Sequence, residues 1–103
     1  MAESEGALRP PYPEGAVRPK LIDAKPPKLN AEQRAVRGIA PMIVKCTITT
    51  AGTVVDCCIL QGINGYNATV LEALAHWRYE PATLQGKPVS VRYVIQMRLD
   101  LTR

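Results

Sequence analysis

Four side chains carry the nucleophile and metal-ligand chemistry of this 103-residue chain: the thiols of Cys46, Cys57 and Cys58, and the imidazole of its single histidine, His76. A Ser/His/Asp or Cys/His relay would have to run through that imidazole. His76 stands beside Trp77 near the end of a helical pattern, where a histidine serves the helix dipole rather than a nucleophile. Asp56, Glu72, Glu80 and Asp100 are dispersed, with no pair set by local spacing for acid and base work, and no glycine-rich loop opens a helix. The expectation is a protein without catalysis, cofactor or metal. Zinc is disfavoured because Cys57 and Cys58 are adjacent and lack the usual two-residue spacing. Asn67, Ala68 and Thr69 match a glycosylation sequon but fall inside the predicted helix, so the match is read as structural.

The cysteines gain meaning from the elements that position them. Met42, Val44, Cys46 and Ile48 alternate with Ile43, Lys45, Thr47 and Thr49, the period of a half-buried strand. Thr50, Ala51 and Gly52 turn the chain into a second strand, Val54 to Leu60. A two-residue turn pairs Cys46 with Cys57, and a longer turn followed by a bulge at Val55 or Asp56 restores the same pairing. Cys58 then points to the other face. Two readings of the pair stay open: buried reduced thiols, or a cross-strand disulfide made in an oxidising compartment.

Upstream, Asn30 and Gln33 have capping-box spacing, and Gly38 is placed to end a helix from Ala31 to Arg37. Downstream, Tyr66, Val70, Ala73, Leu74 and Trp77 recur at helical spacing behind a cap at Asn64 or Asn67. Pro81, Gln85 and Gly86 break the chain before its cleanest pattern. There Val89, Val91, Tyr93, Ile95, Met97, Leu99 and Leu101 alternate with Ser90, Arg92, Val94, Gln96, Arg98 and Asp100, a long strand with one wet face. The order α, β, β, α, β predicts an α+β domain, with two helices on one face of a three-stranded antiparallel sheet.

Six of the nine prolines fall in the first 27 residues, among mixed charges and few apolar residues. Residues 1–26 are therefore read as a flexible, semi-extended linker spanning up to ~80 Å, and residues 27–103 as the folded domain. The longest apolar runs are far short of the roughly 20 residues that cross a bilayer, and no signal-peptide pattern is present. A net charge of +4 permits anionic partners. Nucleic acid is not expected: the strand from Met42 to Thr49 has no aromatic on which a base can stack, there is no Phe, and Tyr93 shares its strand's buried face.

Trp77, Arg78, Tyr79, Glu80 and Pro81, following an amphipathic helix, resemble the C-terminal domain of the TonB energy transducers. The likeness runs from about Pro27 to Leu101. It takes in Ala35 and Arg37, the Val44–Lys45 strand, the Gly52–Val54 turn, Ile59 and Leu60, and then Gly86, Pro88 and Val89 before the final strand. The proline-rich segment is similar to the spacer that TonB-like proteins carry between an inner-membrane helix and this domain, and the chain looks like a fragment cut from such a parent. The family's Gln-Pro-x-Tyr-Pro lead-in is here Pro26, Pro27, Lys28, Leu29 and Asn30, a departure at the Tyr and the second Pro. Cys46 and Cys57 fill positions where relatives carry core-facing apolar residues.

The resemblance implies a periplasmic, non-catalytic module. It would couple an ExbB/ExbD-like motor, reached through the parent's membrane helix, to an outer-membrane TonB-dependent receptor gripped by its TonB box. The alternative it leaves open is an adaptor in another envelope-spanning machine, for motility or secretion. It also implies that Trp77, Tyr79 and Pro81 are core residues, that Pro27 and Leu29 lie where the lead-in meets a receptor, and that Val89 to Arg98 form an edge strand. An uncovered edge offers unpaired backbone groups to an extended peptide, with Arg92 and Arg98 on the open face to attract acidic partners, or to a second copy in a homodimer.

Overall fold

The computed structural model describes residues 6–35 and 39–100. The hairpin and the final strand form the main sheet. Strand β3 (Ile39–Ile48) lies at its centre, flanked antiparallel by β4 (Val54–Gln61) and by β8 (Val91–Asp100). Helix α1 (Ala31–Ala35) precedes this sheet, and helix α2 (Asn67–Leu74) follows β4 in the chain. Arg37 and Gly38, the expected end of α1, and Leu101, the expected end of the last strand, lie outside the described residues.

The core follows from the two periodicities. Met42, Val44, Cys46 and Ile48 are fully buried on one face of β3 and meet Val70 and Leu74 of α2, Val91 and Ile95 of β8, and Trp77 and Tyr79. Helix α1 starts with a reciprocal capping box: the Asn30 amide donates to Gln33 Oε1 at 3.0 Å, and the Gln33 amide donates to Asn30 Oδ1 at 2.8 Å. Gln33 Nε2 then donates to the Gly65 carbonyl at 2.7 Å and to Thr69 Oγ1 at 3.0 Å, which ties α1 to α2. Neither asparagine caps α2. Tyr66 occupies the N-cap without a side-chain bond, while Asn67 Oδ1 closes the preceding turn by accepting the Ile63 amide at 2.8 Å.

The architecture is richer than one sheet with two helices: it is a mixed α/β domain with several antiparallel sheets. Strands β5 (Arg78–Glu80), β6 (Ala82–Leu84) and β7 (Lys87–Val89) are each three residues, too short to display a period. Gln85 and Gly86, at φ 53° and 82°, make the two-residue turn that folds β7 back on β6. Val89 is thereby paired with Ala82, and the single long strand expected from Val89 onward divides at Ser90.

The linker, expected to run free of the domain, supplies the remaining partners. Its β1 (Ala16–Val17) adds to β6, its β2 (Lys20–Asp23) pairs antiparallel with β5, and Leu8 forms a parallel bridge with Val91. The physical reason is that its prolines fix an extended backbone, while the intervening residues keep N–H and C=O groups that short strands such as β5 and β6 otherwise leave unpaired.

Candidate functional site

The hairpin sets the geometry of the sheet edge. The Thr49 amide donates to the Thr53 carbonyl and the Gly52 amide to the Thr49 carbonyl, both at 2.9 Å, leaving a three-residue loop. The longer loop is offset by a bulge: Thr47 faces Val55 but Lys45 faces Cys58, and Asp56 takes a positive φ of 51°. That extra residue carries Cys57 inward, where it is bonded to Cys46 across an α-carbon separation of 4.0 Å, and leaves Cys58 exposed as a free thiol.

Arg92 braces the bulge from β8. One of its guanidinium nitrogens donates to Thr47 Oγ1 at 2.8 Å and to the Asp56 carbonyl at 2.9 Å. Its guanidinium is therefore held across the sheet. Arg98, also on the open face, is exposed.

Strand β8 borders the sheet, with β3 on one side only. Its outer backbone groups can be identified because alternate residues of a strand turn their N–H and C=O to opposite sides. The Arg92 amide points outward, donating to the Leu8 carbonyl at 2.7 Å, and the Ser90 carbonyl points outward, accepting the Leu8 amide at 2.9 Å. The Arg92 carbonyl accepts the Tyr12 hydroxyl. By the same alternation Val94, Gln96 and Arg98 present their backbone groups outward. The side chains of Val91, Tyr93, Ile95 and Met97 meanwhile dock on the core. Of the ten edge residues expected from Val89 to Arg98, Val89 belongs to another sheet and Ser90 lies between strands.

The core trio is close in sequence and divided in role. Trp77 is buried and its indole N–H donates to the Lys25 carbonyl at 2.9 Å, fastening the lead-in segment. Tyr79 packs edge-to-face on Tyr93, ring centres 6.0 Å apart at 74°. Burial, with Tyr93 adding, pushes the Tyr79 hydroxyl up to about 12. The Tyr12 hydroxyl is raised for the same two reasons, with Arg18 partly opposing. Pro81 is half-buried between β5 and β6. Leu29 packs against the core. Pro27 lines a half-open cleft of about 620 Å³ with Lys25, Lys28, Glu72 and His76. Sequence reasoning missed Leu8 and Tyr12.

Among the described residues no three His, Cys, Asp or Glu side chains gather as a metal site would require, and no helix is long and apolar enough to cross a membrane.

The model of the Gram-negative bacterial TonB protein C-terminal family matches residues 26–101. The solution NMR structure of the Pseudomonas aeruginosa TonB CTD superposes with a TM-score of 0.56 at 21% identity, covering 89% of each chain. That likeness speaks for the fold. No curated protein matches the sequence.

Proposed function

This chain belongs to the family of Gram-negative bacterial TonB protein C-terminal domains, and from that premise we propose that it is a periplasmic binding module that engages an outer-membrane receptor by strand addition to β8. The observation that supports the reading is the outer edge of β8, where Val94, Gln96 and Arg98 present backbone groups in a row at a border of the sheet. An extended peptide laid there gains hydrogen bonds worth about 0.5–1.5 kcal/mol each and spends most of that gain on its own ordering, so affinity is micromolar to millimolar. Such weak, reversible grip suits a module that relays energy from an inner-membrane motor of the ExbB/ExbD kind and then lets go. Pro27 and Leu29 would flank the docked receptor from the α2 side. The chain itself performs no chemistry in this role.

Titration of the isotope-labelled chain with a synthetic TonB-box peptide tests the reading. The amides of Val94, Gln96 and Arg98 are expected to move first. Stationary β8 amides with responses at Leu29 or on the outer face of the hairpin would exclude strand addition there. Concentration-dependent broadening of the same amides without peptide would instead assign the edge to a homodimer.

A further inference from the structure

The β8 edge is not wholly vacant, and what sits on it is the chain's own N-terminal segment. Leu8 makes a full rung of a parallel ladder: its amide reaches the Ser90 carbonyl at 2.9 Å, and its carbonyl receives the Arg92 amide at 2.7 Å. Its side chain packs against the core cluster, as does that of Tyr12. In a parallel ladder the next donor along the segment, two residues on, would be residue 10, reaching for the Arg92 carbonyl. Residue 10 is proline and has no N–H. The Arg92 carbonyl is taken instead by the Tyr12 hydroxyl, which satisfies the acceptor without continuing the strand. The segment thus fills the edge as far as Arg92 and stops, with Val94, Gln96 and Arg98 left beyond it.

We propose that residues 6–12 are a built-in, one-rung occupant of the partner-binding edge. A longer extended segment, parallel to β8 and carrying an aliphatic residue at the place of Leu8, must displace it to pair along the whole strand. This rests on the strand-addition reading and adds two features to it: a direction and register for the incoming strand, and a competitor within the chain. Proline at position 10 keeps that competitor weak. An uninterrupted segment would pair with Val94 and hold the edge shut, whereas one rung leaves it open in a minor fraction of molecules, and apparent affinity falls by that fraction.

Full-chain variants in both directions test the proposal. Leu8→Pro removes the donor to Ser90, Leu8→Gly removes only the apolar side chain, and Pro10→Ala restores the missing donor. Two probes are titrated while amide shifts are read: a synthetic peptide with the sequence of residues 5–12, and a synthetic TonB-box peptide. Both are expected to bind Leu8→Pro about tenfold more tightly than the unaltered chain, equivalent to ~1.4 kcal/mol. Binding to Leu8→Gly should be intermediate, and binding to Pro10→Ala weaker. Without peptide, the Arg92 amide should exchange faster in Leu8→Pro and more slowly in Pro10→Ala. Equal affinity of the residue 5–12 peptide for all four chains, or unchanged Arg92 exchange, overturns the proposal. If that peptide follows the predicted ranking while the TonB-box peptide moves no amide of residues 90–98 in any chain, the receptor reading fails and the internal occupant stands.

Discussion

Replacing Gly52 by Ala isolates how the hairpin is locked to the rest of the domain. Gly52 has φ 83°, and a Cβ built on it would lie 1.9 Å from the backbone carbonyl oxygen of Tyr79. That carbonyl cannot rotate away as a flexible side chain would, because the adjoining Tyr79 amide donates to the Gly52 carbonyl at 2.9 Å and β5 is itself paired with β2. The left-handed backbone costs an L-residue about 1–2 kcal/mol. Parting the two backbones by more than an ångström forfeits a hydrogen bond worth about 0.5–1.5 kcal/mol and loosens the core around Tyr79. The expected loss is about 3–5 kcal/mol, a large share of a small domain's stability. Gly86 is the matched control, since it has nearly the same φ, 82°, and nothing within 4 Å of its Cβ position. Gly86→Ala should cost about 1–2 kcal/mol. Urea unfolding followed by Trp77 fluorescence measures both. Equal losses at the two glycines would refute the steric argument and leave backbone conformation as the whole effect.

Trp77→Ala should cost about 3–5 kcal/mol through cavity formation, and Trp77→Phe about 1 kcal/mol through the lost bond to Lys25; denaturant midpoints of the two variants check this. Reducing the Cys46–Cys57 bridge, which closes a span of 11 residues, should lower stability by about 2–3 kcal/mol and leave the fold intact, as unfolding with and without reductant will show. Because folding raises the Tyr79 hydroxyl from 10.0 to about 12, the unfolded chain loses that proton first as pH climbs. Stability is then fully present below pH 10 and falls between pH 10 and 12, by on the order of 2 kcal/mol. Tyr79→Phe should flatten that slope in unfolding measured across the range.

What the sequence disclosed depended on how many residues carried each signal. Alternation from Met42 to Thr49 marked β3 and alternation from Val89 to Leu101 marked β8, and two residues at fixed spacing, Asn30 and Gln33, marked the start of α1. The Cys46–Cys57 register was reachable because turn length and bulge compensate one another. Strands of three residues carry no period, so β5, β6 and β7 read as breaks around Pro81 and Gly86. The partners of the N-terminal segment were harder still. Leu8, Ala16 and Leu21 find theirs some 60 to 80 residues away, and nothing local in an extended, proline-rich stretch says which edge it will meet. Arg92 was placed on the correct face, but its use depends on the Asp56 carbonyl, turned toward it by a bulge that spacing alone left between two positions.

The attachments of the N-terminal segment lie in series along the chain: Leu8 on β8, then Ala16–Val17 on β6, then Lys20–Asp23 on β5. Tension applied at the N-terminal end therefore meets them one after another, like stitches in a seam. The single rung at Leu8 bears the load before the four residues of β2 do, and Trp77, which holds Lys25, comes last. Once these contacts part, the chain from Leu8 to Asp23 can extend to a span of up to ~50 Å before load reaches the Lys25–Trp77 contact. A pull on this molecule is first taken up as slack, and the disulfide-closed hairpin lies behind that slack.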